Sequence, residues 1–128
     1  MAAQTDEVKN FQSMGLDDRI LKAIHELGWK QPTLIQQEAI PLALEGRDLL
    51  ARARTGSGKT AAFAIPIIHG LIQRKQVDGE QKVRAVVLTP TKELAAQATT
   101  HFQQLCQCCS RDVALLNLAT TSQIHLQA

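Results

Sequence analysis

Ala53-Arg54-Thr55-Gly56-Ser57-Gly58-Lys59-Thr60 is the stretch on which the fold turns. A short apolar-leaning run, Asp48 to Ala53, leads into it, and a long apolar run opens at Lys59. A glycine-rich turn between a strand and a helix is the setting in which such a loop holds phosphate. Gly56 and Gly58 let the backbone turn its N–H groups inward around phosphate oxygens, and the positive end of the following helix adds to the field. At this spacing Lys59 reaches β- and γ-phosphates, and the Thr60 hydroxyl is placed as a Mg²⁺ ligand. The bland alternative is a glycine turn that only caps a helix. The strand signal before the turn and the helix signal after it weigh against that alternative.

Upstream of the loop, Ile20, Leu21, Ile24 and Leu27 recur at helical spacing, with Asp17 or its neighbour as cap and Gly28 as stop. A second helix is predicted from about Leu34 to Leu44, kinked or divided at Pro41 and stopped by Gly46. Downstream, a third helix runs from about Lys59 to Gln73. It is apolar on most sides, which predicts burial, and Pro66 and Gly70 predict a kink in it. Gln76 to Gln81 reads as a polar loop. Ala85-Val86-Val87-Leu88-Thr89 reads as a buried strand, about Thr91 to Cys108 as a fourth helix, and Val113 to Leu118 as a third strand. Strand, helix, strand, helix, strand predicts an α/β fold, a parallel sheet flanked by helices. The expected organisation is a lead-in at 1–15, an incomplete phosphate-loop domain at 16–118 and a divergent tail at 119–128.

Composition narrows the function classes. At 128 residues the chain is one domain at most, with an ordinary apolar share of 45%. No apolar run reaches the ~18–20 residues of a membrane span, and no signal peptide is expected. Cys106, Cys108 and Cys109 have no Cys/His pair at zinc spacing beside them, so no metal cluster is expected there. The net charge of +2 is unevenly spread. Residues 1–46 carry −3, residues 47–92 carry +6 and residues 93–128 carry −1. The basic middle would draw an anion, or it is a solvated face. Aromatics at 3% supply no stacking platform for single strands.

Three motifs in order then resemble one family. Gly28-Trp29-Lys30-Gln31-Pro32-Thr33-Leu34-Ile35-Gln36 is similar to the Q motif of DEAD-box RNA helicases, and Phe11 matches the isolated aromatic upstream of it. Ala53 to Thr60 resembles that family's phosphate loop, which begins with Ala in place of the more widespread Gly. Pro90-Thr91-Lys92-Glu93-Leu94-Ala95 resembles motif Ia, with Lys92 where Arg is more usual. The resemblance implies a partial RecA-like domain binding ATP with Mg²⁺, and the wording around the motifs is similar to nucleolar members of ribosome assembly. Its implied nucleotide contacts are Trp29, Gln36 and residues Ala53, Arg54, Thr55, Gly56, Ser57, Gly58, Lys59 and Thr60. Pro90, Thr91, Lys92 and Glu93 would meet RNA backbone. Pre-ribosomal proteins are implied as partners, and the nucleus and nucleolus as location.

The chemistry of the residues fits those roles without requiring them. The Gln36 amide offers a donor and an acceptor to adenine's ring nitrogen and exocyclic amine, a match that guanine's carbonyl breaks. Thr33-Leu34-Ile35-Gln36 is equally a capping box, and the two roles are compatible. Trp29 and Phe11 read equally as packing aromatics, and Pro90-Thr91 as a plain turn with a capping threonine. The family's Asp-Glu-Ala-Asp and Ser-Ala-Thr motifs, and its second RecA-like domain, are not found in these 128 residues. After Lys59 the acids are Asp78, Glu80, Glu93 and Asp112, and none ends an apolar strand as a Mg²⁺-holding carboxylate must. The expectation is a helicase fragment that binds adenine nucleotide without hydrolysis. The alternatives are a non-catalytic truncated isoform competing for the parent's partners, and a fragment without function. A small nucleotide kinase is disfavoured for want of a complete carboxylate set.

Overall fold

The structure is a computed structural model that describes residues 10–54, 56, 58–79 and 82–119. A single 3-10 turn, Phe11–Met14, precedes four helices: α1 at Asp18–Glu26, α2 at Leu34–Leu44, α3 at Lys59–Asp78 and α4 at Lys92–Leu105. The caps explain where three of them start. The Asp17 side chain accepts from Arg19 N–H ahead of α1, Thr33 accepts from Gln36 N–H ahead of α2, and Thr91 accepts from Leu94 N–H ahead of α4. Neither internal proline divides its helix, as α2 runs through Pro41 and α3 through Pro66. Each proline removes one backbone bond, and packing on both sides of it carries the helix across the gap. Helix α3 also continues five residues past the expected Gln73. Arg74, Lys75 and Gln76 are good helix formers, and no breaker stands before Gly79.

Helix α3 is central: α2 and α4 pack along it, and α1 touches both α3 and α4. Ala61, Ala64, Ile65, Ile68 and Ile72 form its buried stripe. Ile20 and Ile24 of α1, Ile40 of α2, and Phe102 and Leu105 of α4 close on that stripe. Phe11, at the end of the expected lead-in, is completely buried among them. That burial is the packing-anchor role. Phe63 departs from the all-round burial expected of α3: its ring lies 6.0 Å from Phe102 but stays partly exposed.

The expected parallel sheet is not formed among the described residues. Residues 48–53, 85–89 and 113–118 run as irregular chain, and apart from Val113, which joins the core, most of their large apolar side chains are outside. Val86 is 75% exposed and Leu88 is 90% exposed. The physical reason is that strand pairing is a long-range bargain. A helix satisfies its backbone groups within itself, but a parallel strand needs a neighbour reached through a crossover of a dozen or more residues. Val86 and Val87 give the middle segment a β-forming composition, but among the described residues no segment is paired in a sheet.

A second set of contacts ties the ends of the helical body together. Arg19 on α1 pairs with Asp17 at 3.0 Å and also with Asp112, in the turn after α4. Asp112 is shared with Lys75 of α3 at 3.4 Å, and Lys75 Nζ donates to the Arg111 carbonyl at 3.0 Å. The Asp17 N–H donates to Nδ1 of His69 on α3 at 3.1 Å. Cys106 and Cys109 are buried behind this turn, and burial pushes the Cys106 thiol up to about 12 and raises Cys109 as well. Buried, protonated thiols of this kind are packing groups rather than nucleophiles.

Candidate nucleotide site

The site is built where the start of α2 meets the start of α3. Thr33 and Gln36 form a complete capping box: the Thr33 N–H donates to Gln36 Oε1 at 3.0 Å, and the Gln36 N–H donates to Thr33 Oγ1 at 3.4 Å. The Gln36 side chain does not end there. Its Nε2 donates to the Gly58 carbonyl at 3.2 Å, crossing 22 residues of sequence to the glycine-rich turn. At 4% exposure, Gln36 is the buried polar residue of the described core. One amide therefore closes α2 and fastens it to the residue that caps α3.

Gly58 is shaped by that fastening. Its φ is +81°, in the left-handed region, and a Cβ built on it would lie 2.5 Å from Gln36 Nε2 and 3.1 Å from Thr33 Oγ1. Only glycine meets both demands. Gly56 also has a φ of +81°, with open space where its Cβ would be. Lys59, exposed, and Thr60, half-buried, are the first two residues of α3, at the end of the helix whose N–H groups are unsatisfied. Ala53 is half-buried and Arg54 exposed, while Thr55 and Ser57 lie outside the described residues. Left-handed glycines, a helix start and an exposed lysine together fit a phosphate chain.

Two other expected groups stand apart from this junction. Trp29 is partly buried against the core, and its N–H donates to the Ile24 carbonyl at 3.2 Å as the chain leaves α1. Pro90, Thr91, Lys92 and Glu93 are exposed around the start of α4. There the Thr91 hydroxyl accepts from Leu94 N–H at 3.1 Å, and the Thr89 hydroxyl donates to the Thr91 carbonyl at 3.1 Å. No hydrogen bond among the described residues joins this turn to Gly58. Sequence reasoning missed the Gly58 carbonyl as the second partner of Gln36. A capping-box glutamine uses only its acceptor oxygen, so its spare amide donor was the signal that a further partner exists.

Comparison with known proteins follows the same residues. The family model described as DEAD/DEAH box helicase matches residues 33–127. A probable ATP-dependent RNA helicase ddx56 of Dictyostelium discoideum is 46% identical over 91% of this chain and 17% of its own length. The ATP-dependent RNA helicase dbp9 of Schizosaccharomyces pombe is 47% identical over 93% of this chain and 20% of its own. The chain thus spans about a fifth of the length of these curated relatives. Among solved structures, the RNA helicase Prp28 from Chaetomium thermophilum bound to ADP superposes with a TM-score of 0.71 at 31% identity, over 93% of this chain and 29% of its own. A DEAD box protein from Methanococcus jannaschii gives 0.67 at 43% identity, over 75% of this chain and 25% of its own. These neighbours are RecA-like helicase domains, and their likeness carries the coarse fold even where the sheet is unpaired here. With a family match that begins at the capping threonine of α2 and solved helicases that overlay the same helices, the chain belongs to the DEAD/DEAH box helicase family.

Proposed function

We propose that this chain is the nucleotide-binding front of an ATP-dependent RNA helicase, and that these 128 residues hold adenine nucleotide without hydrolysing it. The observation that carries the reading is the bond from Gln36 Nε2 to the Gly58 carbonyl. It joins Gln36, the amide this reading assigns to the base, to Gly58 in the turn it assigns to the phosphates. With one N–H spent on Gly58 and one lone pair on Thr33, the amide keeps one donor and one acceptor. That pair matches the ring nitrogen and amine of adenine; Trp29, which stands apart from this junction, is the aromatic we assign to the base from the family's motif alone. Backbone N–H groups of Gly56 and Gly58 and the Lys59 ammonium hold the phosphates, with Thr55 and Ser57 completing the loop in sequence. The Thr60 hydroxyl is the residue that would hold Mg²⁺, which when bound neutralises phosphate charge.

Hydrolysis needs carboxylates that these residues do not offer. Asp78 is paired with Lys82 and Arg84, and Asp112 with Arg19 and Lys75. Glu93 lies in the first turn of α4. Missing electrostatic and positioning groups of this kind cost ~3 kcal/mol or more each, which is several powers of ten in rate. Thr91 and Lys92, flanked by Pro90 and Glu93, offer a strip for RNA backbone, without sequence information. RNA remodelling, pre-ribosomal partners and a nucleolar place belong to a whole helicase of this family, and we extend them to this chain as part of the same reading.

Titration of the purified chain with fluorescent ADP, competed by ATP and by GTP, tests it. Saturable binding that ATP displaces and GTP does not is expected, lost in both Lys59→Ala and Gln36→Ala. The two losses have different causes. Lys59→Ala should leave the thermal melt unchanged, whereas Gln36→Ala removes a cap and a buried bond and should cost about 1–2 kcal/mol of stability. Equal competition by GTP, or no saturable binding, rejects the reading.

A further inference from the structure

Cys106-Gln107-Cys108-Cys109 straddles the end of α4 and has no part in the nucleotide site. Cys106 is the C-cap, and the Cys109 N–H donates to its carbonyl at 2.9 Å. A turn closed by such a bond brings its first and fourth Cα atoms within about 7 Å, and a disulfide spans ~4.4–6.8 Å between Cα atoms. Both residues belong to the core, 4% and 2% exposed, and both thiols are free. The two thiols interact directly, in the sense that favours the thiolate of Cys109 over that of Cys106. Cys109 also lines an open cleft of about 310 Å³ shared with Cys108, Arg19 and the exposed Arg111. Cys108 itself is turned elsewhere: it is half-buried, and its Sγ donates to Glu26 Oε2 on α1 at 3.8 Å.

In the reduced chain Cys106 and Cys109 pack, and burial makes them slow nucleophiles. The turn fixes the product of their oxidation instead. We propose that Cys106 and Cys109 are a redox site that closes to an intramolecular disulfide by exchange with a small disulfide such as oxidised glutathione. The Cys109 thiolate attacks one glutathione sulfur, forming a mixed disulfide and expelling a glutathione thiolate that takes up the proton Cys109 has lost. The Cys106 thiolate then attacks the Cys109 sulfur, closing the protein disulfide and expelling the second glutathione thiolate, which takes the Cys106 proton. Two electrons pass from the chain to the small disulfide, which leaves as two thiols. Burial disfavours the thiolates, so the reduced form gains no ionic stabilisation and the equilibrium lies toward the bond. The Arg111 guanidinium at the cleft matches the charge of the anionic tripeptide. The Cys109 carbonyl accepts from the Asp112 N–H at 3.0 Å and the Val113 N–H at 3.2 Å. A disulfide there pins the residue from which Asp112 reaches Arg19 and Lys75. None of this depends on nucleotide binding.

The test equilibrates the purified chain with reduced and oxidised glutathione over a series of ratios, quenches in acid and alkylates the remaining thiols. The tryptic peptide spanning residues 93–111, which holds all three cysteines, is then mapped by fragmentation. A single alkyl label on Cys108 is expected, with Cys106 and Cys109 joined. Cys108→Ala should keep the link and its oxidation midpoint, whereas Cys106→Ala should stop at a glutathione adduct on Cys109. The oxidised Cys108→Ala chain should melt several degrees above its reduced form, because the closed turn constrains the unfolded chain. In denaturing urea, where the turn is lost, the pairing preference should disappear. A link through Cys108, adducts without an internal link in the unsubstituted chain, or no oxidation at any ratio overturns the proposal. So does an oxidised melt no higher than the reduced one, or a preference that survives urea.

Discussion

Gly58 carries two constraints on one atom position. The left-handed backbone excludes most side chains, and Gln36 Nε2 occupies the space a methyl group would take. Gly58→Ala should therefore cost more than the ~1–2 kcal/mol of the backbone term alone. It should also abolish ADP binding, read by the same titration, because relief of the clash moves the amide off the loop. Gly56→Ala meets the backbone term with no clash and should be the milder change in a melt. Half of this junction was legible in the sequence. The capping box follows from residue types three positions apart, and the left-handed turn ahead of α3 from glycine spacing. The bond between them spans 22 residues and depends on where two helices come to rest, which no local pattern encodes.

At the scale of elements, the helices were readable and the strands were not. Ile65, Ile68 and Ile72 announce a buried stripe at helical spacing, and each helix satisfies its own backbone within a few residues. Val86 and Leu88 announce apolarity but not the neighbour that would cover it. The attachment of α1 was half visible: Asp17 is a recognisable cap, while its links through Arg19 to Asp112 and through its N–H to His69 were not. The pH dependence of that attachment follows from Asp17. Its hydrogen bond with Arg19 holds the carboxyl below its ordinary value. A depressed folded value means the stabilisation is fully present above the unfolded value of about 3.9 and is lost as pH falls through the lower, folded one. Thermal melts between pH 6 and pH 2 should thus show a loss at the acid end that Asp17→Asn makes smaller. An identical acid loss in the variant would remove Asp17 from the account.

For the whole molecule, the helical body and the extended segments make opposite demands. The body buries Ile20, Ile24, Ile40, Ile65, Ile68 and Ile72 within itself, whereas the segments leave Leu50, Val86, Leu88 and Leu116 largely in water. The contact that closes the body is the Arg19–Asp112 pair, 93 residues apart and shared with Lys75. Closing so long a loop is entropically late, since the chain must already be ordered before the two groups can meet. Asp112→Asn should accordingly shorten the lifetime of the folded state while leaving the refolding arm of a chevron plot nearly where it was. A slowed refolding arm would instead place the pair in the nucleus. That clasp then acts as a timer more than as a builder: it sets how long the folded body persists between openings.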